Sequence, residues 1–242
     1  MNRHFACSDL HGMWDLWEQI SNYCDETDTI FFLGDAADRG PDGLKLMKTL
    51  LTDKRVQYIK GNHEDMLINA FYENDFWLVA YNGGNTTIKD FKQLSEENQE
   101  WLIHRLDKLP KELEYTNSNG IHIIMNHSGY NPKQKFIVIS KEDPYIWDRR
   151  QIPYKWEGND EDLIIHGHTP IPHLIQRLNE VANFYDKPLI KMPQTIEEVS
   201  IIKYCDGHKL DIDLGAFATG KTALIDLDTL EVKYFTTEMK GQ

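Results

Sequence analysis

The stretch Gly34-Asp35-Ala36-Ala37-Asp38-Arg39-Gly40 sets two carboxylates and a guanidinium between glycines, directly after the apolar run Thr29 to Leu33. Such a β-branched and aromatic run reads as a buried strand, so Asp35 is expected at its carboxyl end, where open α/β sheets place their ligands. A polar turn with a stray salt bridge would use the same residues. The stretch alone does not choose between the two.

Its neighbours do. Arg3 to Ser8 reads as a first strand that delivers Asp9-Leu10-His11-Gly12 to the same kind of loop, and Val56 to Lys60 as a third that delivers Gly61-Asn62-His63-Glu64. Between them Met13, Leu16, Trp17 and Ile20 recur at helical spacing, as do Leu44, Met47, Leu50 and Leu51 after Pro41, and a third helix runs through Met66, Leu67, Ala70 and Phe71. This is a βαβ rhythm. Two later strands repeat the ending: Ile121 to Met125 leads into Asn126-His127-Ser128-Gly129, and Leu163 to Ile165 into His166-Gly167-His168-Thr169-Pro170. One hydrophilic strand ending is common by chance, whereas a series of them points to a shared site. His4, His104, His122, His173 and His208 lie outside the pattern and read as structural, and the turn Asn82-Gly83-Gly84-Asn85 and a helix from Ser95 to Leu109 read as architectural.

At 242 residues and 40% hydrophobic content, a single domain over 1–242 with a sizeable core is expected. The formal charge of −13, from 26 Lys and Arg against 39 Asp and Glu, argues against a nucleic acid held on a broad basic face, so any phosphate must be captured locally. Cys7, Cys24 and Cys205 are too scattered for a disulfide framework or a zinc knuckle. With no charged-then-apolar leader and no membrane-length apolar run, a cytoplasmic setting without membrane contact is expected. Gly215 to Thr222 matches the Walker A pattern letter for letter, but that loop must open a helix. Ala223 to Asp226 and Glu231 to Phe235 instead read as two strands of a hairpin, which excludes a nucleotide cradle there.

Collected from the strand ends, Asp9, His11, Asp35, Asn62, His127 and His168 form an oxygen and nitrogen set without thiolate, suited to divalent manganese, iron or zinc. Six ligands are too many for one catalytic ion with an open position, yet right for two ions sharing a bridging carboxylate. Asp35, from the central strand, is the natural bridge. Two ions about 3.5–4 Å apart can deprotonate a bridging water at neutral pH and hold both oxygens of an in-line displacement, which is the chemistry of phosphoester hydrolysis.

Asp9-Leu10-His11-Gly12, Gly34-Asp35 with Asp38-Arg39-Gly40, and Gly61-Asn62-His63-Glu64 resemble the three signature blocks of the phosphoprotein phosphatase family of calcineurin-like metallophosphoesterases. Trp147-Asp148-Arg149, Gly167-His168-Thr169-Pro170 and Asp211-Ile212-Asp213-Leu214-Gly215-Ala216 are similar to later blocks of the compact bacterial and phage members. The resemblance implies an α/β fold: a two-sheet β-sandwich core flanked by helices in α/β/β/α layers. It implies that Asp9, His11 and Asp35 hold one divalent ion and Asp35, Asn62, His127 and His168 the other, with manganese as first choice. His63 would be the general acid, Asp38 would accept its other ring N–H, and Arg39 and Arg149 would fork the phosphoryl oxygens. Ser8 stands where the family usually has glycine, a change expected to be tolerated. His168, which follows Gly167, is favoured as ligand over His166.

The implied substrate is phosphoserine or phosphothreonine in proteins, with phosphotyrosine as an extension. The rival enzyme is a symmetrical bis(5'-nucleosyl)-tetraphosphatase, which tends to carry Asp in place of Glu64 and to lack the Asp38 carboxylate. A non-catalytic metal-holding domain should have lost His63 or Asp38, and both are present. The span 171–209 is longer than in compact members; a lid, a substrate-selecting arm or a dimer contact is expected there, with a helix near Glu197 to Tyr204.

Overall fold

The computed structural model describes residues 2–133, 142–149, 156–184 and 189–238. The chain begins with β1 (His4–Cys7), α1 (Trp14–Tyr23), β2 (Thr29–Phe32), α2 (Gly43–Thr52), β3 (Val56–Tyr58) and α3 (Asn62–Glu73), which is the expected βαβ rhythm. It continues through α4 (Trp77–Tyr81), α5 (Asn85–Lys92), α6 (Glu96–Asp107), β4 (Glu112–Thr116), β5 (His122–Asn126), α7 (Pro144–Trp147), β6 (Asp162–His166) and α8 (Ile171–Phe184). The last elements are β7 (Ile202–Tyr204), β8 (Lys209–Asp211), α9 (Ala216–Thr219), β9 (Lys221–Asp226) and β10 (Val232–Thr236).

Two mixed sheets of five strands result, in the orders β10-β9-β1-β2-β3 and β4-β5-β6-β8-β7. Side chains alternate along a strand, and here both faces are apolar. Phe5, Cys7, Ile30 and Phe32 pack against Leu16, Trp17 and Ile20 of α1 and Leu46 and Met47 of α2. Ala6, Phe31 and Leu33 point the other way, onto Ile123 and Met125 of β5 and Leu163 and Ile165 of β6. Each fully buried Leu, Ile, Phe or Met in these clusters stabilises the fold by roughly 1.5–3 kcal/mol. The two-sheet sandwich with flanking helices is therefore the one the resemblance implies.

Strand direction is what positions the site. β1, β2 and β3 run parallel, with Cys7 opposite Phe32 and Phe32 opposite Tyr58, so their carboxyl ends share one edge. β5, β6 and β8 are likewise parallel in the second sheet. Backbone pairing continues past the strands into the loops, through Asp9 N–H to Gly34 O at 3.1 Å, His11 N–H to Asp35 O at 3.0 Å, and Gly167 N–H to His127 O at 3.1 Å.

The expected helix near Glu197 to Tyr204 does not form. A turn closes with Val199 N–H on Ile196 O at 3.1 Å, and the chain then enters β7, with Ile202 opposite Asp211 and Tyr204 opposite Lys209 of β8. The open edge of β8 offers a ladder of backbone partners, and this long-range pairing overrides the local pattern. The span 171–209 thus contributes α8 and β7, while its Pro188 lies outside the described residues. After Thr222 the chain is strand β9, paired with β10, as the hairpin reading of the Walker-like segment requires.

Candidate active site

The loops that carry the predicted residues are held in backbone conformations that side chains rarely adopt. Asp9, His11, Asp35, Asp38, Arg39 and His168 have φ of 52°, 45°, 61°, 68°, 64° and 72°. Left-handed backbone costs a non-glycine residue of order 1–2 kcal/mol, so the surroundings must impose it. Glu64 supplies much of that constraint. Its fully buried carboxylate accepts from Asp35 N–H at 2.8 Å, Ala36 N–H at 2.9 Å and Gly61 N–H at 2.9 Å. A Cβ at Gly61 would overlap Asp35 Oδ1, so the two loops touch only because that residue is glycine. Further along, Asp38 N–H donates to Thr87 Oγ1 at 3.1 Å and Arg39 N–H to Gly83 O at 2.9 Å. The turn Asn82-Gly83-Gly84-Asn85, which reads as architectural in sequence, and the first turn of α5 therefore clamp the site directly.

The ligand-type atoms of His11, Asp35 and His63 lie within 4.8 Å of one another, as do those of Asp35, His127 and His168. Asp35 is common to both groups. His11 Nδ1 is 2.8 Å from Ala37 O and His127 Nδ1 is 2.7 Å from Leu33 O. A carbonyl can only accept, so each Nδ1 carries a proton and each Nε2 presents a lone pair or a second proton, the tautomer control usual for ligating histidines. His127 Nε2 faces two oxygens, Asn62 Oδ1 at 3.1 Å and Asp35 Oδ1 at 3.4 Å. His11 Nε2 already faces a cation, Arg39 Nη1 at 2.6 Å. Asn62 Oδ1 also lies 2.8 Å from His168 Nδ1. Nitrogen and oxygen donors converging on one another in a buried space are a donor set that a divalent ion satisfies.

Asp9 stands outside both groups. Its carboxylate takes His168 N–H at 3.1 and 3.0 Å and the hydroxyl of Ser8, the residue that replaces the family's usual glycine. His166 is also outside, its Nε2 2.8 Å from the Tyr204 hydroxyl. His63 Nδ1 sits 2.7 Å from Asp38 Oδ2, and its Nε2 is 3.1 Å from Arg39 Nη2. Arg149 Nε donates to His168 Nε2 at 2.9 Å. Arg39, Asn62, His63, Trp147, Arg149 and His168 line a cavity of about 470 Å³ open to solvent.

Electrostatics separates these groups. Burial alone would raise Asp35, but the imidazoles of His127, His63 and His11 reverse this and hold its carboxyl well below the usual range. Burial likewise opposes charge on His127, yet Asp35 and Asp9 raise it to about 10. His11 and His168 are pushed well below the ordinary value by burial and by cationic neighbours, Arg39 for the first and His127 for the second. Asp9 is pushed up by burial and by Asp213. Asp213, in sequence only a member of the later block Asp211 to Ala216, is itself raised to about 6 by burial, and its Oδ2 is buried with no hydrogen-bond partner among the described residues. The alternation Asp211-Ile212-Asp213 was the available signal.

The calcineurin-like phosphoesterase family profile matches residues 3–172. Serine/threonine-protein phosphatase 2 of Escherichia coli K12 is 26% identical over 193 residues, covering 74% of this chain and 85% of that protein. The asymmetrical bis(5'-nucleosyl)-tetraphosphatase PrpE of Oceanobacillus iheyensis is 28% identical over 158 residues, covering 59% of this chain and 62% of that protein. In fold, the chain is similar to the cold-active protein-tyrosine phosphatase of a psychrophilic Shewanella, with a TM-score of 0.61 at 12% identity over 98% of this chain and 78% of that one. With more than half of its length matched and the dinuclear-type donor set in place, the chain belongs to the calcineurin-like phosphoesterase family of hydrolases.

Proposed function

We propose that the chain hydrolyses phosphomonoesters at a dinuclear manganese centre, with phosphoserine and phosphothreonine in proteins as the leading substrates and phosphotyrosine as an extension. The observation that carries this reading is the pair formed by His63 Nδ1 and Asp38 Oδ2 at 2.7 Å, with His63 lining the same cavity as Arg39 and Arg149 and its Nε2 3.8 Å from Asp35 Oδ2 within the first metal-type group. Two ions held by Asp9, His11, Asp35, Asn62, His127 and His168 would supply an acidified water and neutralise phosphoryl charge. Arg39 and Arg149 bind and orient the phosphoryl oxygens as paired planar donors. His63 delivers a proton from Nε2 to the leaving alkoxide oxygen, while Asp38 fixes the ring through Nδ1. The reading treats 1–242 as one catalytic unit acting in the cytoplasm; no described helix is long and apolar enough to cross a membrane.

Asparagine in place of His63 is expected to lower kcat on a phosphoserine peptide by about 10²–10⁴ and to leave manganese content unchanged. Metal loss in this variant would make His63 a ligand instead of the acid. Similarity to proteins named symmetrical bis(5'-nucleosyl)-tetraphosphatases favours that activity as a second reading, against which stand Glu64 and the Asp38 carboxylate. Parallel assays with a phosphopeptide and diadenosine tetraphosphate decide: cleavage of the dinucleotide alone reverses the choice. Absence of para-nitrophenyl phosphate turnover with any divalent metal, despite tight metal binding, would leave only the metal-holding domain.

A further inference from the structure

A second cavity, of about 420 Å³, opens onto Arg39 and Arg149 from the side of His11. Pro170 and Pro172, at the start of α8, line it together with Leu214, Phe217 and Ala218. Phe217 and Ala218 belong to the part of the Walker-like segment that folds as the short helix α9, which the chemistry above does not use. Leu214 is buried and Phe217 half-buried, so the cavity presents apolar surface beside two guanidinium groups. Its volume lies within the range of about 300–1,000 Å³ found for small-molecule sites.

The two cavities share both arginines but differ in what flanks them. His63 lies on the first and His11 on the second, and the Arg39 fork stands between them, Nη2 on His63 and Nη1 on His11. In an in-line displacement the departing oxygen must face the proton donor, so the leaving group occupies the His63 cavity. A second organic group on phosphorus needs space elsewhere. We infer that the apolar cavity is a subsite for a substituent retained on phosphorus, that it prefers aromatic or branched apolar groups, and that Phe217 sets this preference.

The inference rests on the hydrolytic reading above and extends it to phosphodiesters and phosphonate monoesters. In each, the water oxygen bonds to phosphorus, the P–O bond to the leaving group breaks, and that group takes a proton from His63. Water's proton is released in exchange, and the retained substituent departs with the acidic product.

Titration calorimetry of the manganese-loaded protein with phenylphosphonate and methylphosphonate tests the subsite without turnover. Phenylphosphonate should bind about tenfold more tightly. Phe217→Ala should abolish most of that preference while methylphosphonate affinity and para-nitrophenyl phosphate hydrolysis stay within about twofold. Ala218→Phe, a substitution at an exposed position, should weaken phenylphosphonate alone by filling the cavity. Equal affinities in the wild type, or a phenyl preference that survives in both variants, would overturn the subsite. Failure of the hydrolytic reading would show instead as absent turnover with the binding preference intact.

Discussion

Glutamine in place of Glu64 keeps the side chain's shape and removes one charge and one acceptor where every acceptor is in use. Oε2 serves the amides of Asp35 and Gly61 at 2.8 and 2.9 Å, Oε1 serves Ala36 at 2.9 Å, and the residue is 0% exposed. In its better orientation a glutamine oxygen can serve Asp35 and Gly61, but its NH₂ then opposes the Ala36 N–H. One bond to a charged group, about 1.5–3 kcal/mol, is lost, and an orphaned buried donor costs a further 1–3 kcal/mol or so. An opposing effect exists, because burial and the Asp35 charge both push the Glu64 carboxyl up, so removing its charge relieves some repulsion. Three backbone N–H groups depend on the carboxylate, so the net change should be destabilising by about 2–4 kcal/mol. For a domain of this size that is a fall in Tm of roughly 5–15 °C. Equilibrium urea unfolding of the metal-free protein measures it. A loss below about 1 kcal/mol, or a gain in stability, would mean that repulsion with Asp35 governs this position and that the loop conformation is imposed elsewhere.

Gly61→Ala should be worse, because the added methyl overlaps Asp35 Oδ1 and reaches Glu64 Oε2 at 2.8 Å. Manganese content of the purified variant should fall below half of the wild-type value, or the protein should lose more than about 3 kcal/mol in urea; retention of both would contradict the contact. Lys209 is fully buried and donates to Gly129 O at 2.6 Å. Burial, outweighing the attraction of Asp148, lowers its amine to about 8 from 10.5. Between those values the unfolded chain holds a proton that the folded chain has released, so stability from this group rises with pH. Comparing metal-free wild type with Lys209→Met, the wild type should gain about 3 kcal/mol relative to the variant from pH 8 to 10.5. A difference flat in pH would show that the buried amine stays charged.

The strand-end loops were legible because their signals are local: apolar runs of strand length, glycines where the chain turns, and acidic or imidazole residues in between. The parallel order of β1, β2 and β3 follows from the helical periodicity between them. Short or weakly periodic elements were not legible. α4 is only five residues long and α5 opens on Asn-Thr-Thr, so neither carries a helical signal of its own, and both are held by packing. The error at 197–204 has the same origin, since β7 exists through the edge of β8 and not through its own pattern.

By itself the sequence determined the residue types of the candidate site and the order in which strands deliver them, from Asp9 to His168, because strand period and turn chemistry act within a few residues. Only the tertiary structure decided how they meet. It turned His168 onto Asn62 and His166 onto Tyr204, made Glu64 and Thr87 the braces of Gly34 to Gly40, and set Phe217 beside the arginines. Those outcomes depend on contacts between residues far apart in the chain, whose geometry no local pattern records.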